Sequence, residues 1–249
     1  MKQFIRILTI GILCLIGVTT HAADPNTDLI LYFSFDEGNG NKATDASPNK
    51  FDGDVKNGKW IDGVVGKAIE LNNGAVTAPA LKTNEPAEMT IEFWFKPAEK
   101  IEGGGRIDLM YRLNGGGRPH ITFNRGGVLF GYYFGDPEQE LKLERIAWEP
   151  QWYYYVATQT KKEVVVYIDG EVDVSGKQGN SVRLDYITEG ISIGANTGGS
   201  NFFNGAIDEV KIWSVALTAD EVSKSMASAL AVEASRKLTT MWGHIKSAR

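Results

Sequence analysis

Asp208 is the residue whose neighbours most demand a chemical explanation. It lies in Ala206–Trp213, a run whose period-2 alternation reads as a β-strand with Ala206, Asp208, Val210 and Ile212 on one face and Ile207, Glu209, Lys211 and Trp213 on the other. A carboxylate sharing a face with apolar side chains needs hydrogen-bond donors or a cation. Ca²⁺ takes hard oxygen ligands, which a carboxylate on this last strand, another at the end of the first strand and a neighbouring backbone carbonyl can supply. A second chemistry is stacking. In Thr90–Lys96, Ile91, Phe93 and Phe95 take one face and leave Trp94 on the other; Tyr133 alternates with Tyr132 and Phe134, and Tyr153 and Tyr155 with Trp152, Tyr154 and Val156. Rings on a non-core face stack on sugar rings, with Arg112, Arg118, Asn124 and Arg125 supplying hydrogen bonds. Trp94, Arg112, Arg118, Asn124, Tyr133, Tyr153 and Tyr155 are therefore the candidate ligand-binding residues. The competing reading packs these rings beneath the long loops at 97–106 and 135–150.

Other chemistries find little support. Residues 1–22 read as a secretory leader, with Lys2 and Arg6 in a basic start, Ile7–Val18 as its apolar core and a small-residue cleavage site before Ala23. The apolar run falls short of the about 20 residues a spanning helix needs. Cys14, the only cysteine, lies within it, so the mature chain has neither disulfides nor thiolate chemistry. Past the leader only His120 and His244 remain, too few for a common histidine zinc site. No Gly-x-Ser-x-Gly elbow occurs, and Gly103-Gly-Gly105 and Gly115-Gly-Gly117 lead into no helix, so neither is a phosphate cradle. With 31 Asp+Glu against 26 Lys+Arg and no basic run, the chain suits neither nucleic acid nor an anionic membrane surface.

The elements that must position these residues are short and numerous. Runs rich in β-branched and aromatic residues, punctuated by Gly, Asn and Asp, predict strands at Leu29–Phe35, Phe51–Val55, Ala68–Leu71, Met89–Lys96, Ile107–Arg112 and His120–Asn124. Further strands are expected at Val128–Phe134, Trp152–Thr158, Val164–Ile168, Glu171–Ser175, Gly190–Gly194 and Ala206–Trp213. Asp169-Gly170 signals a two-residue type I′ hairpin, which needs φ > 0 at both positions. Thr218 and Glu221 form a capping box ahead of a short Ala-rich helix over Ala219–Leu230, and the basic remainder, 231–249, is expected as a loosely docked tail. One domain over 28–230 accounts for the rest.

Several runs together resemble a known family. The ending Gly205-Ala-Ile-Asp-Glu-Val-Lys-Ile-Trp213, followed by Ala216-Leu-Thr218 and Glu221-Val222, is similar to the close of laminin G-like (LamG) jellyroll domains of the concanavalin A-like lectin and glucanase superfamily. Leu31–Gly40 with Thr44–Asn49 and Phe51-Asp-Gly53 resembles the family's opening, and Gly66–Leu71, Thr90–Pro97, Trp152–Ala157 and Val166–Glu171 resemble its inner strands in the same order. The resemblance implies an all-β fold: a two-sheet antiparallel jellyroll β-sandwich with a short C-terminal helix. It also implies a structural Ca²⁺ between the first and last strands, with Asp36 or Glu37, the Gly53 carbonyl and Asp208 at the matching positions. Asp45 and Asn39 stand nearby, although Asp45 with Ser47-Pro48-Asn49 also reads as a plain turn. Related glucanases place three carboxylates on one strand as Glu-x-Asp-x-Glu. The nearest run here, Glu171-Val-Asp-Val-Ser175, lacks the third and reads as an ordinary solvent face.

The expected protein is thus secreted, periplasmic or displayed at a cell surface, and not inserted in a membrane once the leader is removed. It is a non-catalytic module that binds a carbohydrate or an extracellular protein and carries one structural Ca²⁺. A glycan-cleaving enzyme of the same superfamily and a purely structural surface module are the alternatives.

Overall fold

The computed structural model describes residues 22–79, 86, 88–102, 105–112, 121–124, 128–134, 139–143, 147–177, 190–196 and 198–247. Fourteen strands and one helix run through them in chain order: β1 (Leu29–Phe33), β2 (Lys42–Ala43), β3 (Gly53–Asp62), β4 (Lys67–Ala78), β5 (Met89–Pro97), β6 (Ile107–Arg112), β7 (Ile121–Asn124), β8 (Val128–Phe134), β9 (Gln139–Lys142), β10 (Tyr153–Gln159), β11 (Glu163–Ile168), β12 (Glu171–Lys177), β13 (Ile191–Ile193), β14 (Gly205–Trp213) and α1 (Ala219–Ser247). The named strands pair antiparallel, in the order β12-β11-β10-β5-β14-β4-β13-β6-β7-β8-β9, with β1 beside β14 and β3 beside β4.

One ladder makes both layers because β4 belongs to each. Its first half pairs with β14 (Ile69 with Ile207, Leu71 with Gly205) and its second half with β13 (Val76 with Ile193, Ala78 with Ile191). The ladder folds over along this strand, and the two halves face each other across a core that includes Phe33, Phe35, Phe93, Phe95, Phe123, Trp148, Tyr155 and Ile207. At the far side β12 meets β9, where a Cβ on Gly176 would come within 2.5 Å of Leu141.

The sequence reading broke this bend into pieces. The expected strands end at Val55 and Leu71, with half of the observed length of β3 and a third of that of β4. Both instead run through, because a bulge between Lys56 and Gly58 and left-handed Asn57 (φ 53°) and Asn73 (φ 50°) absorb the extra backbone. The Asp169-Gly170 hairpin forms as expected, with φ of 54° and 84°. The capping box forms as well: the Thr218 N–H donates to Glu221 Oε2 at 2.8 Å and the Glu221 N–H to Thr218 Oγ1 at 3.3 Å.

The helix departs from expectation. It runs to Ser247, absorbing almost all of the expected tail, because Ala-rich and Lys-containing sequence without Pro propagates a helix once it is capped. Its first turns lie on the outer face of β5, β10 and β14. There Val222, Met226 and Ala229 join Trp94, Tyr154, Val156, Tyr167, Trp213 and Leu217 in a second apolar cluster.

Candidate functional site

Asp208 does not share a face with Val210 and Ile212. The register of β14 shifts between Asp208 and Lys211, and Glu209 takes the left-handed conformation (φ 53°). Ile207, Val210 and Ile212 therefore all enter the core, and Asp208 emerges opposite Trp94 on the outer face. There it meets the turn between β3 and β4. Its Oδ2 accepts the N–H groups of Val64 at 2.8 Å and Val65 at 3.1 Å. Asp36 reaches the same turn from the other side, its Oδ1 accepting the Lys67 N–H at 2.7 Å. Two glycines admit the carboxylates: a Cβ on Gly63 would lie 2.4 Å from Asp208 Oδ2, and one on Gly66 would overlap Asp36 Oδ1.

The three expected cation positions thus divide. Asp36 and Asp208 converge on one turn, whereas Gly53 starts β3 at the end remote from it, its Cα packed against the Phe33 ring and Val76. Among the described residues no group of three or more His, Cys, Asp or Glu gathers as a metal cage. Two oxygens do fit a hard cation: Asp208 Oδ1 and Oε2 of Glu37, the alternative to Asp36, are buried and accept no hydrogen bond. Burial pushes the Asp208 carboxyl up to about 8, the N–H groups of Val65 and Val64 opposing and the Glu209 charge reinforcing the rise.

Asp45 is the turn former its neighbours suggested. Fully buried, it accepts the N–H groups of Tyr32, Ser47 and Phe51 at 2.8–2.9 Å and the Ser47 hydroxyl at 2.8 Å.

Three of the four aromatic candidates, Trp94, Tyr153 and Tyr155, are buried. Tyr153 and Tyr155 are 1% and 0% exposed and point into the core, where Tyr155 stacks on Phe93 at 4.9 Å and Tyr153 meets Trp148 at 4.9 Å. Trp94 does lie on the opposite face, but α1 covers it and it packs on Tyr154. These three rings are thus buried as the competing reading expected, but in the sandwich core and under α1, not simply beneath the loops at 97–106 and 135–150. Arg112 closes β6 opposite Ile191, Asn124 closes β7 opposite Val128, and Tyr133 in β8 opposes Glu140; their side chains, and Arg118 and Arg125 entirely, lie outside the described residues.

Beneath α1 the outer face holds a charged network that the sequence did not reveal. Glu92, fully buried, accepts hydrogen bonds from Tyr154 Oη and from Trp213 Nε1 at 3.1 Å. Lys211 Nζ lies 3.6 Å from Glu92 and 3.2 Å from Glu209, and Tyr32 Oη donates to Glu209 at 2.9 Å. Burial opposes the Lys211 charge, but the two carboxylates outweigh it and hold its pKa above the usual lysine range. Glu92 and Glu209 are thus paired through Lys211 into a structural cluster, with Glu209 and Lys211 at the wall of a cleft of about 730 Å³ between α1 and β14. Glu171, in the run expected as an ordinary solvent face, is exposed on β12.

A second open region lies around Phe202. This half-buried ring lines two clefts at once. One, of about 570 Å³, presents Asp54, Lys56, Asn73, Thr77, Ser192 and Asn196; the other, of about 510 Å³, presents Glu70, Asn72, Glu99, Lys100 and Asn204. The loop carrying Phe202 is held without help from a ligand. Asn196 Oδ1 accepts the N–H groups of Gly198 and Ser200, each at 3.0 Å. Buried Asp108 donates its N–H to the Asn201 carbonyl at 2.8 Å and accepts Asn201 Nδ2 at 3.1 Å and Arg106 Nε at 2.8 Å. The signal in the sequence was the density of Asn and Gly in 72–74 and 196–204, which reads as turn punctuation.

An antiparallel sandwich made by one folded-over ladder defines a jellyroll-type fold. The chain belongs to the concanavalin A-like lectin/glucanases superfamily, whose laminin G-type family profile matches residues 71–223. A search among curated protein sequences finds no significant match. Among solved structures it resembles domain 4 of AbnA, an extracellular arabinanase of Geobacillus stearothermophilus, in complex with arabinotriose (21% identity, TM-score 0.62, covering 79% of this chain and 97% of that one). It also resembles the binding domain of Paraclostridial Mosquitocidal Protein 1 (19% identity, TM-score 0.65, 82% and 53% covered). A third is the binding domain of botulinum neurotoxin DC in complex with SialylT (13% identity, TM-score 0.62, 83% and 52% covered). The chain spans about half of the two toxin domains, and at these identities the likeness concerns the fold. No described helix is long and apolar enough to cross a membrane.

Proposed function

We propose that this chain is an exported, non-catalytic module that binds a glycan lying across Phe202. The observation that carries the reading is the placement of a half-buried ring, on a loop braced by Asp108 and Asn196, between two clefts lined with amides, hydroxyls and charges. A sugar presents an apolar C–H face suited to a ring and hydroxyls suited to such groups. The neighbours solved with arabinotriose and SialylT support this ligand class. Titration calorimetry against an oligosaccharide panel should find a ligand whose affinity falls about tenfold or more in Phe202→Ala, about 1.4 kcal/mol, with the melting midpoint nearly unchanged. Equal affinity of Phe202→Ala and wild type would reject this site. Binding to an extracellular protein but to no glycan would transfer the module to the other ligand class, and release of reducing ends from a polysaccharide panel would overturn the non-catalytic reading.

A structural Ca²⁺ on Asp208 Oδ1, with Asp36 alongside, is part of the same proposal. It is supported by the buried Oδ1 that makes no hydrogen bond, and it leaves Gly53 out of the donor set. The ion would complete its shell with backbone or water oxygens and would fasten the first and last strands to the β3–β4 turn.

A further inference from the structure

Ala23 is the residue that leader cleavage would leave at the N-terminus, and the structure gives its nitrogen a specific partner. Its N–H donates to Glu221 Oε1 at 3.0 Å, while Glu221 Oε2 is engaged in the capping box with Thr218. The Ala23 methyl packs on the apolar cluster beneath α1, whereas Ala22 is exposed. Among the described residues the first packing contact with the fold is thus made at Ala23, the expected cleavage point. Burial opposes the Glu221 charge, but the hydrogen bonds from Thr218 and Ala23 outweigh it and hold its pKa below the usual glutamate range. An amide N–H is a modest partner for a charged carboxylate; an ammonium at the same place is a stronger one.

We infer that removal of the leader creates an ion pair between the new α-ammonium of Ala23 and Glu221, locking the start of the mature chain to the start of α1. Hydrolysis of the Ala22–Ala23 amide, with water as co-reactant, frees this amine, which takes up a proton from solvent. The pair lies 198 residues apart in sequence and closes one end of a cleft of about 730 Å³ between α1 and β14. Other charged groups around it are Lys224 on α1, Asp24 and Asp28 on its own segment, Lys50 from the loop after β2, and Glu209 and Lys211 on β14. The ammonium is stabilised in the folded state, so its pKa is raised there. The added stability is complete below the ordinary α-amine value of about 7.7–8 and disappears as pH rises through the folded one.

The inference rests on the export reading, and two measurements separate their failures. Intact mass of the exported protein reports whether cleavage occurs before Ala23. Independently of export, protein released from a fusion so that it starts at Ala23 is compared with protein that retains residues 19–22. At pH 6 the former should melt about 2–4 °C higher, and the gap should close by pH 10. Glu221→Gln, which can still cap α1, should erase the gap. Isotope-labelled reductive methylation should give an Ala23 amine pKa above 8. Equal midpoints at pH 6, a gap that survives in Glu221→Gln, or an amine titrating at or below the ordinary value would each overturn the inference.

Discussion

At the scale of single residues, Asp208 sets the pH response of the molecule. Its carboxyl is raised from 3.8 to about 8, chiefly by burial, so between those values the folded chain holds a proton that the unfolded chain releases. The sign is opposite to that of a salt-bridged aspartate: stability falls as pH rises through this interval, by up to about 1.4 kcal/mol per unit from this group. In chelator, the urea midpoint should therefore decline from pH 5 to pH 8, and Asp208→Asn, which keeps an oxygen for Val64 and Val65 without a charge, should flatten that decline. Ca²⁺ competes with the proton for Oδ1, so millimolar Ca²⁺ at pH 8 should raise the wild-type midpoint and leave Asp208→Asn unmoved. No effect of Ca²⁺ at pH 8 would remove the cation from the proposal and leave the clasp as hydrogen bonds alone.

At the scale of elements, the bulge in β14 decides what each of its residues does. Strict alternation put Asp208 among core residues and Glu209 with Ile207; the left-handed Glu209 instead sends Ile207 and Val210 inward and places Glu209 and Lys211 under α1. Lys211 is then the cation between two buried carboxylates. Lys211→Met should cost about 3–5 kcal/mol in chemical denaturation, because both carboxylates lose their partner. Glu92→Gln in that background should recover part of the loss, since the amide still accepts from Trp213 without a charge; no recovery would show that Lys211 acts through packing of its stem. The sequence made twelve of the fourteen described strands, the hairpin and the capping box legible, because each follows from local periodicity or turn chemistry; β2 and β9, the latter in a run read as a long loop, were missed. The bulges and the β3–β4 bend were not legible, since Asn and Gly can mark either a turn or a kink within a strand. For the same reason the amides around Phe202 read as loop formers, while Tyr153 and Tyr155 lie in the core and Trp94 under the helix.

At the scale of the whole molecule, α1 turns one outer face of the sandwich into a second core. Trp94, Tyr154, Val156, Tyr167 and Trp213 lie together there, each no more than 8% exposed, and the helix contributes Val222, Met226 and Ala229 over them. Periodicity identified Trp94 as facing away from the first core and could not say what would cover it. A sandwich without this helix would present those rings as one apolar patch, of the kind that drives association in water. A chain ending at Ala216 should therefore bind a hydrophobic dye strongly and elute larger than a monomer, with a midpoint well below that of the full protein. Adding a peptide of residues 217–247 in trans should suppress the dye signal. Binding at the Phe202 clefts should survive in the truncated chain, because Asp108, Asn196 and Asn201 brace that loop from β6 and its own backbone without contact to α1. A monomeric, dye-silent truncation would show that the outer face is covered by the sheet's own loops; loss of glycan affinity with the fold intact would show that the helix and the clefts are coupled.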